Sequence, residues 1–559
     1  RAELLGVLQR QAVEVSRATG PFTVTLPVKK ARPADKAEAS AKAAEKPVEG
    51  AAKAAEDKPK TETKTFPAGS YIIRMDQPYS RIADALLDYQ YWSPTDPQKR
   101  PYDDTGWTFG ELFNVQVVRV TDAKVLDAAM ERVSAVTVAS DITGTGALFV
   151  VNNDADPSLL ALRYRLKGAA FDVAEEPFEA AGKKFNRGSF IIRNAQAGDV
   201  QAAVRELSLK AHAVEAAPAV KAHPVKAPRI GYIHTWLGTQ DEGWWRMEFD
   251  RLQIPYDYIS TQVVAKEASL ISKWDVLVFP PVGRGAQQIV AGMPMWRNPL
   301  PWKTTPLTPN IGKIDSTDDM RPGLGWGGLV NLEQFVRQGG VLIVSEDTSM
   351  FANTFGMTPG LSVQAPTRLN APGTVMRAKI VDGASPIAYG YGENVSIYSA
   401  PGLVMSVSNT LGGRGGGRGA DAGPSRPTGR GTADDIDQPQ GRPVVAPLPE
   451  EPKVEAWQAA PVTNDQLRNP LSVIPPAQRP RVVLRYGDAS SLLVSGLLEN
   501  GNEIAQRPAV VDVPLDKGHV VVFANNPMWR GQTQGTYGFV FNAILNFDQL
   551  NAGRKLDEK

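Results

Sequence analysis

A nine-residue segment occurs twice in this sequence and constrains the fold of the first part of the chain more than any other feature. The copies are "FPAGSYIIR" at 66–74 and "FNRGSFIIR" at 185–193, which share Phe, Gly, Ser, Ile, Ile and Arg. Upstream of them, residues 4–22 loosely match residues 159–178. Each copy has the pattern of a helix, a strand and a second strand opened by Gly-Ser, followed by another helix. We therefore predict two small α/β units with related structures.

The predicted units are residues 1–140 and 141–227, and they differ in what interrupts or precedes them. The first contains residues 31–64, an Ala, Lys, Glu and Pro segment without aromatic residues. Such a segment cannot bury enough apolar surface to offset the entropy of ordering, so we predict a disordered insertion. The second unit begins with the apolar strand "ALFVVNN" (147–153), which has no counterpart in the first. We expect the polypeptide to continue N-terminal of Arg1 with at least one strand.

From residue 228 onwards the sequence alternates between strands and helices. Apolar strand patterns in "RIGYIHTW", "WDVLVFPP" and "VLIVSEDTS" are separated by helices such as "DEGWWRMEFDRLQ", in which Trp245, Phe249 and Leu252 form one stripe. This alternation predicts a doubly wound, flavodoxin-like parallel sheet. The predicted fold class is therefore α/β, with repeated small α/β units followed by a doubly wound sheet domain.

The predicted sheet domain comprises residues 228–410 and 478–552, separated by a Gly/Arg/Pro-rich insertion at 411–477. One interpretation of the insertion is an RGG-type RNA-binding tail. The other, a solvated loop, is favoured because strand-like sequence resumes at "RVVLRYG" and acidic residues dilute the basic charge.

The composition of the chain excludes several kinds of function. The net charge of +1 argues against a nucleic-acid partner or an anionic membrane. The absence of cysteine excludes disulfides, thiolate catalysis and Cys-ligated zinc. No apolar run reaches the roughly 18 residues that a membrane-spanning helix needs, so we predict no membrane span.

Several ordered segments resemble a known family, among them "DEGWWRMEFDRLQIPYDYI", "GGLVNLEQFVRQGGVLIV" and "NPMWRGQTQGTYGFVFNAIL". They are similar to the C-terminal half of large bacterial zinc carboxypeptidases, in which a metallocarboxypeptidase domain precedes a class I glutamine amidotransferase-like domain. The resemblance implies a non-catalytic accessory region that packs on an upstream peptidase domain of an exported, periplasmic or secreted protein. Zinc belongs to that peptidase domain, and no cofactor is expected in this chain.

The zinc chemistry of this family finds no match in the sequence. It requires a His-x-x-Glu pair with a distant third histidine. The only His-x-x-Glu is "HAVE", His212 to Glu215, at the end of a predicted helix, and no histidine lies between residues 235 and 518. We therefore assign no metal ligand.

The amidotransferase likeness is also incomplete. That fold places a cysteine nucleophile on a sharp turn after a central strand, and here the turn reads Ser345, Glu346, Asp347. A strand-turn-helix elbow would suit Ser345 as the nucleophile of an independent hydrolase, although the flanking Gly-x-Ser-x-Gly glycines are missing. We assign no catalytic residue. The alternative hypotheses are such a hydrolase and a peptide- or carbohydrate-binding module that uses the carboxyl ends of the sheet strands.

Polar residues that follow the predicted strands mark the candidate ligand site. In open parallel sheets ligands bind at the carboxyl ends of the strands. The functional interpretation is a polar site for a peptide, a cell-wall fragment, a carbohydrate or a cation. A structural interpretation stands beside this one, because acids cap helix N-termini and a histidine at a strand end is commonly a satisfied hydrogen-bonding residue. The candidate ligand-binding residues are His234, Asp241, Glu242, Arg284, Glu346, Asp347 and Arg530.

Seven of the eleven tryptophans lie between Trp236 and Trp326. Exposed aromatic residues among Pro and Gly are typical of stacking on sugars or peptides, and equally of docking against another domain. We favour docking on the peptidase domain. This hypothesis predicts exposed Trp side chains, and their burial in the chain's own core would remove its support.

Overall fold

The computed structural model shows a mixed α/β protein whose sheets include parallel strands. It describes residues 1–27, 61–93, 96, 98, 101–136, 138, 140–400, 402–411, 454–468 and 472–555. Most of the predicted disordered insertion and residues 412–453 of the Gly/Arg/Pro-rich insertion lie outside the described residues. No helix in these ranges is long and apolar enough to cross a membrane.

The first unit forms a three-stranded antiparallel sheet and a separate hairpin. Strand β1 lies between β4 and β5, while β2 pairs with β3. Within the hairpin the rings of Phe22 and Phe66 stack, with 5.2 Å between their centroids. Residues 61–64 already belong to β3, so the prediction of disorder is wrong for them. The elements are α1 (Ala2–Arg10), β1 (Val15–Ala18), β2 (Phe22–Pro27), β3 (Thr61–Phe66), β4 (Tyr71–Ile72), α2 (Ser80–Leu87), α3 (Phe109–Leu112) and β5 (Met130–Val133).

The second unit forms a larger sheet. Its elements are β6 (Ile142–Gly144), β7 (Leu148–Val151), α4 (Ser158–Arg165), β8 (Ala170–Ala174), β9 (Phe178–Ala180), β10 (Lys183–Phe185), β11 (Phe190–Arg193), α5 (Ala197–Glu206), β12 (Ala211–Val214) and β13 (Ala222–Val225). The strand order is β13-β8-β11-β7-β12-β6, and β9 and β10 form a hairpin. The predicted second helix ends at Glu206, so His212 lies on a strand and not at a helix end.

The two copies of the repeated segment occupy equivalent places in the two units. The order β4-β1-β5 in the first sheet corresponds to β11-β8-β13 in the second. In the hairpin of the second unit, Phe178 and Phe185 stack at 5.1 Å, as Phe22 and Phe66 do in the first. The large insertion therefore joins two hairpin strands that a short turn connects in the second unit.

The third region is built around one large sheet. Its first half comprises β14 (Ile230–His234), α6 (Gln240–Arg251), β15 (Asp257–Ser260), α7 (Thr261–Lys266), α8 (Leu270–Lys273), β16 (Val276–Phe279), α9 (Ala286–Ala291), α10 (Gly325–Arg337), β17 (Val341–Ser345) and α11 (Asp347–Thr354). Its second half comprises β18 (Leu361–Gln364), β19 (Thr374–Ile380), β20 (Asn394–Ser399), β21 (Val404–Val407), α12 (Asn464–Leu467), β22 (Arg481–Tyr486), β23 (Leu493–Ser495), β24 (Pro508–Leu515), β25 (Gly518–Phe523) and α13 (Tyr537–Leu545).

The order of the main path through this sheet is β15-β14-β16-β17-β25-β24-β22-β19-β20. The first five strands are parallel, and the rest are antiparallel. Strands β16, β17 and β25 are continuous apolar runs buried along their whole length, as strands covered by helices on both faces must be. The chain leaves β14 first towards β15 and then crosses to β16. The strand order reverses at β14, which is where parallel sheets open a crevice at their carboxyl ends.

A segment of the predicted first unit packs against this third region. The hydroxyl of Thr105 donates to the carbonyl of Pro372, and the Leu497 N–H donates to the same hydroxyl. A Cβ added to Gly106 would lie 2.4 Å from the Ser495 carbonyl oxygen, so only glycine allows this approach. These contacts attach the residues just before α3 to the antiparallel half of the sheet, beside β19 and β23.

Candidate functional site

The turn after β17 forms a strained elbow. Its central residue, Glu346, has φ 51° and ψ −116°, a left-handed conformation that costs a non-glycine residue about 1–3 kcal/mol. Helix α11 begins directly afterwards at Asp347. Such strain persists only where the surrounding structure enforces it, and it is concentrated at functional turns.

The residue before the elbow is held inside the protein. Ser345 is fully buried, and its hydroxyl donates to the carbonyl of Asn525 at 2.8 Å. The hydroxyl of Thr348 accepts the Ser345 N–H at 2.9 Å. Ser345 therefore connects β17 to the end of β25, and Glu346 is the partly exposed side chain of the turn.

The surroundings of the Glu346 carboxyl group favour its neutral form. Burial, together with the nearby carboxyl groups of Asp347 and Asp241, raises the pKa of Glu346 to about 8. Its Oε2 accepts one long hydrogen bond, 3.4 Å, from Nδ2 of Asn526. The Trp245 indole donates to Oδ1 of Asn526 at 2.8 Å, which fixes the amide with its donor towards Glu346. The raised pKa favours the protonated form of Glu346.

Asp347 ties the elbow to the neighbouring strand. Its carboxylate accepts the backbone N–H groups of Val282 at 3.1 Å and Arg284 at 2.8 Å, both in the loop after β16. Burial raises the pKa of Asp347 to about 6, although these hydrogen bonds act in the opposite direction. The side chain therefore stabilises the crevice wall and also adds negative charge beside Glu346.

Asp241 and Arg530 complete the group of predicted residues that the fold brings together. Burial raises the pKa of Asp241, and the Arg530 guanidinium acts against this rise. Arg530 itself forms ion pairs with Asp103 at 2.7 Å and Asp104 at 3.5 Å. This group thus contains three carboxyl groups, and the cation that acts on Asp241 is itself paired with two further acids from the N-terminal part of the chain.

Sequence patterns did not point to Asp104, which accepts hydrogen bonds from two aromatic side chains of the crevice wall. Its carboxylate accepts the Tyr398 hydroxyl at 2.7 Å and the Trp529 indole at 2.9 Å. The rings of Tyr398 and Trp529 stack at 5.0 Å, and Arg530 lies over the indole. In the sequence, Asp104 is notable only as part of the acidic pair "DD". No local pattern predicts its contact with Trp529, which lies more than 400 residues later in the chain.

Two other predicted residues make contacts outside this group. His234 Nε2 lies 2.7 Å from Asp315 Oδ2, and its ring stacks on Tyr258 at 4.1 Å. Burial lowers the pKa of His234, and the bond to Asp315 acts against this effect. The buried carboxyl of Glu242 accepts the Tyr258 hydroxyl at 2.6 Å, and burial raises the pKa of Glu242. Both side chains thus fix the packing around β14 and β15.

Arg284 is exposed and points its guanidinium away from the acids. It donates to the carbonyls of Leu237 at 2.9 Å and Gly283 at 2.8 Å. Only its backbone N–H reaches the crevice, through the bond to Asp347.

The described residues contain no group of three or more His, Asp or Glu side chains arranged to hold a metal ion. At the His-x-x-Glu segment, His212 Nδ1 contacts the Thr143 hydroxyl and lies 3.0 Å from Lys183 Nζ. An ammonium group at this distance competes with a metal cation for the same nitrogen.

Of the seven tryptophans between Trp236 and Trp326, two are buried, two are half-buried and three are exposed. Trp245 and Trp274 are buried in the core. Trp296, Trp302 and Trp326 are 62%, 39% and 70% exposed. The loop between α9 and α10, residues 292–324, also exposes Met295, Leu300, Leu307 and Ile314. We call this loop together with Trp326 the aromatic loop surface.

Comparisons with known proteins give weak similarities. No protein-family model matches the chain, and no curated protein matches it. A β-galactosidase from Bacillus circulans sp. alkalophilus is similar at 11% identity and a TM-score of 0.26, over 56% of this chain and 30% of the galactosidase. The chain therefore spans less than a third of that protein.

Two smaller structures are similar to the same degree. For a putative ThuA-like protein from Bacteroides uniformis the identity is 9% and the TM-score 0.27, over 57% of this chain and 92% of the other. For a putative GMP synthase protein from Thermoplasma acidophilum the identity is 7% and the TM-score 0.25, over 56% and 94%. Likenesses this weak do not establish a shared fold.

Proposed function

We propose that this chain is a non-catalytic accessory region of a zinc carboxypeptidase-like protein, exported to the periplasm or secreted, and that it packs on a metallocarboxypeptidase domain. In this proposal residues 228–410 and 478–552 form a flavodoxin-like, class I amidotransferase-like domain that has no amidotransferase chemistry.

The observation that supports this proposal is the identity of the residues at the elbow after β17, where Ser345 and Glu346 stand and no cysteine is present. In this proposal Glu346, the central residue of the elbow, takes the nucleophile position of an amidotransferase, and its raised pKa favours the protonated form, which is a poor nucleophile. The neighbouring hydroxyl of Ser345 is buried and donates to a carbonyl. Neither side chain is set up for attack on an acyl group.

The aromatic loop surface is the candidate docking site. Trp residues with low conformational entropy and large area are enriched at the centre of protein interfaces. Contacts within the loop stabilise its conformation, because Arg321 pairs with Asp319 at 2.6 Å and donates to the Trp296 carbonyl at 3.1 Å. A rigid backbone that exposes Trp296 and Trp302 offers a preformed contact surface.

The test combines this chain with a separately produced metallocarboxypeptidase domain encoded in the same gene. We expect the two to bind, as measured by calorimetry, and we expect Trp296→Ala with Trp302→Ala to weaken binding at least about tenfold. Tyr102→Ala is the matched control, because Tyr102 is 98% exposed but lies outside the aromatic loop surface. Absence of binding, or equal loss in the control, would contradict the docking proposal.

A second candidate function rests on Glu346 itself. A protonated carboxyl on a strained turn beside further carboxyl groups is the arrangement of a general acid. An independent hydrolase acting on a peptide or carbohydrate would use Glu346 as proton donor. Hydrolysis of a peptide, ester or glycoside by the isolated chain, abolished by Glu346→Gln, would establish this function and overturn the non-catalytic proposal.

A further inference from the structure

One edge of the sheet in the first unit has no partner strand. Strand β4 pairs with β1 on one side, and no strand among the described residues pairs with its other side. Its repeat counterpart β11 lies between β8 and β7 and pairs with both. An unpaired edge leaves backbone N–H and C=O groups without sheet partners. Among the described residues, the first unit thus lacks the strand that corresponds to β7.

A large groove lies beside this free edge. It has a volume of about 2860 Å³, and Ser70 to Asp76, which include β4, form part of its lining. Leu4, Leu5 and Leu8 of α1 also line it. The second unit contributes another wall, including Phe185. The groove therefore combines an open sheet edge with apolar side chains.

A segment with strand-like sequence lines the same groove without forming a strand. Residues 115–120, "VQVVRV", contain four valines, the residue type most enriched in strands. They adopt no regular structure and belong to none of the described sheets. Val117 remains 39% exposed. Two elements suited to β pairing, β4 and residues 115–120, thus face one unfilled space.

We propose that this groove binds an extended apolar strand that pairs antiparallel with β4 and continues directly into the N-terminal end of α1. In the second unit, β7 is the strand in the equivalent place. It pairs antiparallel with β11 and is followed by α4 after residues 152–157. Arg1 and Ala2 line the groove, so a strand that enters α1 reaches the edge of β4 through a connection of the same length.

The second unit also defines the side chains that the strand needs. Phe149, Val150 and Val151 of β7 are all buried, so both faces of the strand are covered. Phe149 pairs with Ile192, and Val151 pairs with Phe190. The repeat places Ile73 and Tyr71 at these two positions of the first unit. The occupant is therefore a run of about four apolar residues that is β-branched or aromatic.

The experiment transplants the strand of the second unit onto the first. The sequence "LFVVNNDA", residues 148–155, is added in front of Arg1 of the full chain. The last valine of the added strand then precedes Leu4 by as many residues as Val151 precedes Leu159 in the second unit. A control of equal length, "LPVPNNDA", contains two prolines, which cannot donate in a β ladder.

Amide hydrogen exchange provides the measurement. With the strand extension, we expect exchange in residues 70–76 and 115–120 to slow at least about tenfold and the midpoint of thermal unfolding to rise. The proline control should leave both unchanged, and residues 189–194 of the second unit should exchange alike in all variants. Unchanged exchange at residues 70–76, or equal slowing by the proline control, would overturn the proposal.

Discussion

Arg530 and Asp103 are 427 residues apart in the sequence and form an ion pair, with 2.7 Å between Nη1 and Oδ1. The contact joins the end of β25 to a segment that the sequence assigns to the first unit. Beside it Asp104 accepts hydrogen bonds from Tyr398 and Trp529. One wall of the candidate crevice is therefore supplied by the N-terminal part of the chain.

The two adjacent acids should differ in their effect on stability. Asp104→Ala leaves the buried Tyr398 hydroxyl and the Trp529 indole without their acceptor, so we expect a loss of about 2–3 kcal/mol in the free energy of unfolding. Asp103→Ala removes one surface ion pair, and we expect a loss below about 1 kcal/mol. Urea unfolding of both variants measures the difference. Equal losses would show that the hydrogen bonds to Asp104 are not important for stability.

Glu346 should make the protein less stable as the pH rises. Its pKa is higher in the folded protein, about 8, than the 4.5 of a free carboxyl, so the folded state binds the proton more tightly. Stability from this group is fully present below pH 4.5 and is lost as the pH rises through about 8. We expect Glu346→Gln to reduce the stability difference between pH 5 and pH 9 by roughly 4 kcal/mol, since each unit of pKa shift corresponds to about 1.4 kcal/mol.

Urea unfolding at the two pH values provides this measurement. Glu333→Gln, a change at a surface carboxyl paired with Arg337, serves as the control and should keep the wild-type pH dependence. If Glu346→Gln also keeps it, the carboxyl of Glu346 titrates normally in the folded protein.

Ser345 should behave as a structural residue. Its hydroxyl and that of Ser349 are both buried and donate to backbone carbonyls of the β25 region at 2.8 Å. We expect Ser345→Ala and Ser349→Ala to cost a similar amount, about 1 kcal/mol each, as measured by urea unfolding. Neither should change hydrolysis in a panel of peptide and ester substrates. Loss of a hydrolytic activity in Ser345→Ala alone would identify a nucleophile.

A buried charge network at the opposite end of the sheet should be important for stability. Asp512 is fully buried and contacts His519 Nδ1 at 2.6 Å and Arg554 Nη2 at 3.0 Å. Removal of its charge in Asp512→Ala leaves Arg554 buried without its partner, and we expect a loss of about 3–5 kcal/mol in unfolding free energy. Asp516→Ala removes an exposed pair with Arg337 and should cost less than about 1 kcal/mol.

The same network should make the protein sensitive to acid. Burial acts to raise the pKa of Asp512, but His519 and Arg554 more than offset it and hold the pKa below its ordinary value. Its stabilisation is therefore present above the ordinary carboxyl pKa of 3.8 and is lost as the pH falls through the lower folded value. We expect Asp512→Ala to flatten the acid limb of the unfolding curve, and an unchanged limb would contradict this assignment.

The periodic parts of the sequence predicted their structure well. The stripe of Trp245, Phe249 and Leu252 predicted the buried face of α6, and all three side chains are buried. The apolar runs predicted β14, β16 and β17 for the same reason, since burial on both faces requires continuous hydrophobicity. Each copy of the duplicated segment begins with the Phe of a stacked Phe pair in a hairpin.

The candidate site was predictable only in part. Glu346 and Asp347 follow a central strand, and the rule for parallel sheets places such residues at one edge. Which side chain faces the crevice was not predictable, because a single elbow residue with positive φ turns Ser345 inwards. The partners of His234 and Arg530 come from distant loops, and no local pattern records them.

By itself the sequence determined the local elements and the repeat, because hydrophobic periodicity and turn residues act over a few neighbouring positions. It also excluded cysteine chemistry, since that depends on composition alone. Tertiary structure decided which charges meet. Asp104 reaches Trp529, and the carboxyl groups of Asp241 and Glu346 become neighbours, only because separate loops converge at the carboxyl ends of the strands. The shift in the pKa of Glu346 follows from that convergence, because burial and the proximity of other charges are properties of the folded chain.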